Sequence, residues 1–490
     1  MKKKSLFILL SMTMWTTLGH AQQDDKLQSM FDSWRREIHS GFNDFRRQCL
    51  EDYIDFLRNP WKEFESEKPV PKPKEEPTPP VVMPDEEKDK PLDPKPVVIE
   101  EIVKPTPVPP QPKPIEPIEE VPVKKEAKHH FTFFGTAAEV RFDTANKIQL
   151  RGISADDIAD GLEALSEEAY DNMIVDCLAI RQAHELCDWA YLLMIKALAE
   201  SLYGTSTNEA ALLTGYIYMQ SGYKMRYGIG EGRLYALFAT PHMIYEHDTF
   251  LVEGTRYCGL EDLPSRLQIS DAVFPKEQSM SLYINKEQVF SEKMSQPRTI
   301  TSKRYPDASI TVSVNENLMD FYSTYPTSIV DDNVMTRWAM YAVTPMQEKV
   351  KEQVYPSLRT AIEGCNQMDA ANRLLNFVQT GLVYEYDDEV WGDDRTFFAE
   401  ESLFYPYCDC EDRAVLFTRL VRDMMGLDCI LIYYPGHLAC AVCFTEEVEG
   451  DYIMLNDKKF IVSDPTYIGA PVGKTMPDMD NQSAKVILLH

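Results

Sequence analysis

The sequence predicts an α+β fold, in which helices and antiparallel strands form separate runs without the regular βαβ rhythm of a parallel sheet. Three observations carry this. Apolar residues keep helical spacing over 190–203 and 371–380. The stretch 279–313 alternates in short runs with turn residues between them. Two strand-like runs, 428–434 and 438–444, are joined by Pro435-Gly436-His437. With 490 residues the chain has room for about three domains.

Residues 1–21 read as a secretory signal peptide: Lys2, Lys3 and Lys4 precede the apolar run 5–18, and Gly19-His20-Ala21 offers small residues at a cleavage position. That run is too short for a membrane span. The expectation is an exported protein, periplasmic, cell-surface or secreted, with no span left after cleavage and in a compartment where disulfides are permitted.

Over 24–65, Leu27, Phe31, Trp34, Ile38, Phe42, Phe45 and Cys49 recur at helical intervals, which predicts an amphipathic helix. Such a stripe either packs on the chain's own globular body or supports self-association. Between Pro69 and Pro122 stand 18 prolines and no glycine. The segment 68–123 therefore reads as a disordered, stiff polyproline spacer at about 3.1 Å per residue, without a core. The remainder divides into an expected domain over 129–275, a small β-rich module over 276–330 and a last domain over 331–490.

The net charge of −28, from 78 acidic and 50 basic residues, is the reverse of what phosphate neutralisation needs, so nucleic acid is excluded as a partner. Ten cysteines in this length are too few for a disulfide-stapled scaffold.

The chemistry-bearing stretch is Asp409-Cys410-Glu411-Asp412-Arg413-Ala414, followed by apolar residues at helical intervals up to Gly426. Cys410 is thus expected at a helix N-terminus, where unpaired N–H groups and the dipole favour thiolate. His437 opens the second strand of the next hairpin, and Asp464 closes a further hairpin before Pro465-Thr466. Of nine histidines only His437 and His490 lie beyond His247, so His437 is the internal candidate for a base. A nucleophile, a base and an orienting carboxylate in this order suit Cys–His–Asp catalysis.

Asp409-Cys410-Glu411-Asp412-Arg413-Ala414, Pro435-Gly436-His437 and Asp464-Pro465-Thr466 resemble, in order and spacing, the core of the transglutaminase-like superfamily. The resemblance covers about 337–490. It implies a papain-like α+β domain with Cys410 as nucleophile, His437 as general base and acid, and Asp464 orienting the imidazole. Family members include cross-linking enzymes, amidases and peptidases, which implies a protein or peptide substrate and no cofactor. Gln379, Tyr384, Tyr386 and Trp391 are the candidate oxyanion donors.

A rival reading is zinc bound by Cys408, Cys410, Cys429, Cys440 and Cys443, which fall within 36 residues. Alternation along a strand puts Cys440 and Cys443 on opposite faces, which argues against a metal site. The acidic runs 386–389 and 446–449 favour cationic substrates if they flank the cleft.

A shift of 204 positions aligns 206–238 with 410–442 without a gap. Gly222 matches Gly426, Gly232 matches Gly436, and Leu234 matches Leu438, which predicts a degenerate second copy with Ser206 and Arg233 in place of Cys410 and His437. The expected function is an exported cysteine enzyme acting on amide bonds through a thioester, with hydrolysis favoured over cross-linking. The alternative is an interaction protein whose transglutaminase-like domain is catalytically idle.

Overall fold

Helices and strands are mixed in the computed structural model, which describes residues 45–74, 77–88, 91–104, 107–115, 118, 127–330 and 333–489. The signal expected at 1–21 and the start of the expected 24–65 helix lie outside the described residues. Helix α1, described from residue 45, ends at 57, and Lys62–Glu65 is a strand, so the helix ends earlier than the sequence spacing suggested. Its apolar stripe, Cys49, Leu50, Tyr53, Ile54 and Leu57, is buried in the chain's own core. Arg46 anchors it through a buried ion pair to Asp171 at 2.7 Å. Over 45–57 that stripe is covered by the body itself and is not left for self-association. No helix among the described residues is long and apolar enough to cross a membrane.

Two six-stranded sheets carry the architecture. Their strands in chain order are β1 (Lys62–Glu65), β2 (Glu101–Val103), β3 (Met225–Gly230), β4 (Arg233–Ala239), β5 (Thr249–Val252), β6 (Thr255–Cys258), β7 (Arg266–Ile269), β8 (Asp428–Tyr434), β9 (His437–Cys443), β10 (Tyr452–Leu455), β11 (Lys458–Ser463) and β12 (Lys485–Leu488). The first sheet runs β1-β7-β3-β4-β6-β5 and the second β2-β12-β8-β9-β11-β10. Each therefore has a central hairpin flanked by a second hairpin, a later strand and an outermost strand from the N-terminal segment. The outermost strands differ in sense: β1 is antiparallel to β7, whereas β2 is parallel to β12.

The 204-residue shift reappears in the register. Tyr434 faces His437 across the β8–β9 turn, and Gly230 faces Arg233 across the β3–β4 turn. Gly436 and Gly232 sit at φ 74° and 78°, a left-handed conformation that glycine adopts without steric cost. A helix precedes each central hairpin: α2 (Asn208–Gln220) and α4 (Cys410–Met425). A further helix, α3 (Gln367–Gly381), packs on α4.

The proline-rich segment corrects the expectation of a spacer without a core. Val82 bridges Ile468, Pro96 bridges Tyr452, and β2 extends the second sheet. Val97 and Ile99 are buried with Ile430, Ile432, Ile453 and Val462 on the outer face of that sheet. Apolar residues set between prolines supply the lid that this face needs, since a sheet cannot leave an aliphatic face bare without losing roughly 25 cal/mol per Å². The 276–330 stretch is likewise not a separate module. Its hairpin, Arg298–Thr301 with Ser309–Val312, packs on α3 and on the helix Glu348–Ile362, while Ser328–Val330 pairs with His242–Ile244. One continuous core includes residues from Cys49 to Leu489.

Candidate active site

Helix α4 starts where its sequence says it should. Asp409 is the N-cap, and its backbone N–H donates to the Asp412 carboxylate at 3.2 Å, one arm of a capping box. Gly426 ends the helix at φ 66°. Ala414, Val415, Leu416, Phe417, Leu420 and Val421 are fully buried, which fixes the helix against the second sheet. Cys410 occupies its first turn, 4 % exposed. Its thiol donates to the Glu411 carboxylate at 3.2 Å, and the Leu438 backbone, next to His437, hydrogen-bonds the sulfur.

His437 opens β9 directly after the Pro435-Gly436 turn. Its Nε2 lies 2.9 Å from Asp464 Oδ2, while its Nδ1 is buried without a hydrogen-bond partner. Asp464 Oδ1 accepts the N–H groups of Thr466 at 2.8 Å and Tyr467 at 3.2 Å. Gln379 Nε2 ties the same loop down through the carbonyls of Asp464 (3.0 Å), Tyr467 (2.8 Å) and Ala470 (3.1 Å). Cys410 and His437 line one cleft of about 150 Å³, with Trp338 and Tyr433 stacked on its aromatic side at 5.3 Å.

The cleft's other wall is acidic. Burial and then Glu411 raise Asp387 to about 8. Burial and Glu411 hold Asp409 well above the usual carboxyl range, and burial and Asp387 do the same to Asp412. Burial and Asp394 raise Glu411. Arg337, 6 % exposed and stacked over Trp338 at 4.5 Å, pairs with Asp394 and reaches Glu411 at 3.9 Å. These neighbours overturn one expectation. Burial, Glu411 and Asp409 push the Cys410 thiol well above its ordinary value, against the lowering expected from the helix N-terminus.

Among the described residues, Asp409-Cys410-Glu411, Asp387-Asp409-Asp412 and Asp387-Asp394-Glu411 each bring three ligand-type atoms within 4.8 Å. All belong to this acidic wall. The cysteines of the zinc reading are dispersed: Cys440 is in the main core, its thiol donating to the Ser463 carbonyl at 2.8 Å, and Cys443 packs on the opposite face of the sheet. All ten cysteines are free thiols.

The oxyanion candidates separate by environment. Gln379 is committed to the Asp464 loop, and Trp391 is enclosed by Phe397, Tyr405 and Arg395. The Tyr384 hydroxyl is buried without a hydrogen-bond partner, and Cys410 is among the charges that raise its pKa. Tyr386 lines the cleft. Sequence reasoning did not single out Arg337, Trp338 or Arg413. Arg413 is 1 % exposed and its guanidinium reaches the carbonyls of Leu382 at 3.1 Å and Gln379 at 3.4 Å. Its place in the Asp-Cys-Glu-Asp-Arg run was the available signal.

In the first half the equivalent place holds no such chemistry. Ser206 precedes α2 instead of opening it. Arg233 pairs with Glu261 at 2.8 Å and reaches the Ser206 carbonyl at 3.4 Å. An ion pair thus stands where the second half has an imidazole and a carboxylate. Compared with protein-family models, with curated proteins and with solved structures, the chain matches none.

Proposed function

We propose that the chain is an exported cysteine enzyme of transglutaminase-like, papain-like kind that acts on amide or peptide bonds through a thioester, with hydrolysis as its main outcome. The observation that carries this is the polarity of His437: Nε2 is held by Asp464, and the buried Nδ1 has no partner in a cleft shared with Cys410. A thiol held in its protonated form needs a base at the moment of attack, as a serine does.

His437 Nδ1 takes the Cys410 proton as Sγ attacks the substrate carbonyl carbon. The Tyr384 hydroxyl donates to the oxyanion. As the C–N bond breaks, His437 returns the proton to the leaving amine, and Cys410 is left as a thioester. Water, deprotonated by His437, then releases the acid and restores the thiol. A lysine amine in place of water would give an isopeptide bond.

The test is iodoacetamide labelling of the full chain, mapped by mass spectrometry, followed by incubation with a peptide library and a tagged amine. Labelling of Cys410 that depends on His437, with peptide fragments as products, is the expected result. Labelling equal to that of Cys408, with neither fragments nor conjugates, would sink it. That outcome would favour the idle interaction domain, a reading that the raised Cys410 thiol pKa favours.

A further inference from the structure

On either side of residues 75–76, residues 71–74 and 77–80 of the proline-rich segment have neither helix nor strand, and part of them lines the cleft. The Glu67 N–H donates to the Thr249 carbonyl at 2.7 Å, and the Glu246 N–H donates to the Val70 carbonyl at 2.8 Å. At the cleft the Thr78 N–H donates to the carbonyl of Gly436 at 2.8 Å, one residue before His437. Lys72, Pro73, Lys74 and Pro77 line the same cavity as Cys410 and His437. Proline fixes φ and removes N–H donors, so such a chain lies open, offering carbonyls and side chains to whatever it crosses.

Lys72 is the point of engagement. Its side chain is 16 % exposed, unusual for lysine, and its Nζ bonds the Asp393 carboxylate and, at 3.0 Å, the Asp394 carbonyl. The surrounding wall carries Asp387, Asp388, Asp394, Asp409 and Glu411. An ammonium group among these acids offsets like-charge crowding that Arg337 alone leaves on the cleft. The acidic run 386–389 thus reaches the cleft through Asp387 and Asp388, whereas Glu446 is engaged with the Gln367 backbone at 2.9 Å.

We propose that the Asp393–Asp394 corner is a subsite for the lysine side chain of an extended peptide, and that Lys72 fills it in cis. This rests on the reading of the cleft as a peptide-binding active site, and it names the substrate class as extended peptides with a lysine near the scissile bond. The chain's own segment competes for the same place.

The test separates binding from chemistry by using the full chain with Cys410→Ala. A fluorescein-labelled synthetic peptide with the sequence of residues 68–78 is titrated against that chain and against the same chain with Lys72→Ala. Removing the resident lysine should tighten binding by about tenfold, the size of one charge-assisted hydrogen bond. Norleucine in the peptide at the Lys72 position, or Asp393→Asn in the protein, should reverse the gain. With Cys410 intact, Lys72→Ala should label faster with iodoacetamide and Lys72→Arg should label at the original rate, which controls for folding. Equal affinities for the lysine and norleucine peptides, or equal labelling of Lys72→Ala and the original chain, would overturn the subsite. Lysine-dependent binding together with a Cys410 indifferent to His437→Ala would leave the subsite standing and remove the enzyme.

Discussion

His437 Nε2 stands 2.9 Å from Asp464 Oδ2 with the two side chains 0 % and 2 % exposed. The carboxylate holds Nε2, and Nδ1 is the nitrogen without a partner, the atom to which the proposed mechanism gives proton transfer. Replacing His437 by alanine should lower amide turnover by about 10²–10⁴-fold. Asp464→Asn should cost at least about tenfold while Cys410 remains alkylatable. Steady-state kinetics with a peptide substrate, beside alkylation rates, check both; unchanged turnover in either variant contradicts the assignment.

Glu411 accepts the Cys410 thiol at 3.2 Å and, after burial, is the chief cause of its raised pKa. Glu411→Gln removes that opposing charge, so thiolate should form at lower pH. The alkylation–pH profile of Cys410 should move toward acid, with a neutral-pH rate about tenfold faster, since one pKa unit is a tenfold change in thiolate. An unmoved profile would show that burial and Asp409 set the thiol without Glu411.

Burial raises Asp387 to about 8 and Glu400 and Glu401 to about 7. In the unfolded chain such carboxyls release their protons near pH 4. Between these values the folded state binds more protons than the unfolded one, so stability falls as pH rises. The Tm should drop by on the order of 5 °C from pH 5 to pH 8. Asp387→Asn should flatten that slope, and calorimetry at several pH values measures it.

The Tyr384 hydroxyl is a buried donor without a partner, and Cys410 is among the groups that raise its pKa. Tyr384→Phe should lower kcat by about 10²-fold with little change in KM, the pattern of a contact made in the transition state. A change confined to KM would move the oxyanion site elsewhere.

Gly222 has φ 96°, and a Cβ there would lie 2.0 Å from the Lys113 carbonyl oxygen. Gly222→Ala should therefore cost on the order of 1–3 kcal/mol and lift the segment around Lys113. Limited proteolysis with mass spectrometry should find new cuts near 107–115; an unchanged digestion pattern would mean that the segment adapts in place.

Much of the site was legible because its three residues sit at element ends that leave marks in sequence. Asp409 and Asp412 mark the start of α4, Gly426 its end, and Pro435-Gly436 the turn before His437. The matched glycines of the 204-residue shift were legible for the same reason: Gly222 and Gly426, like Gly232 and Gly436, share positive φ. The Cys410 environment was not legible, because Asp387, Asp394 and Arg337 arrive from separate segments and act through their charges on the buried Asp409 and Glu411. Nor was the course of the 68–123 segment. Its prolines report a stiff backbone, and Val97 and Ile99 are too sparse to announce that they cover a sheet face.

That cover bears on how the protein can be shortened. A chain begun at residue 127 would keep every catalytic candidate, yet Ile430, Ile432, Ile453 and Val462 would lose Val97 and Ile99. β12 would also lose β2 and become an edge strand, baring its backbone N–H and C=O groups. Such a fragment invites edge-to-edge aggregation, so solubility in the absence of the N-terminal segment is itself a measure of how firmly that segment is woven into the fold.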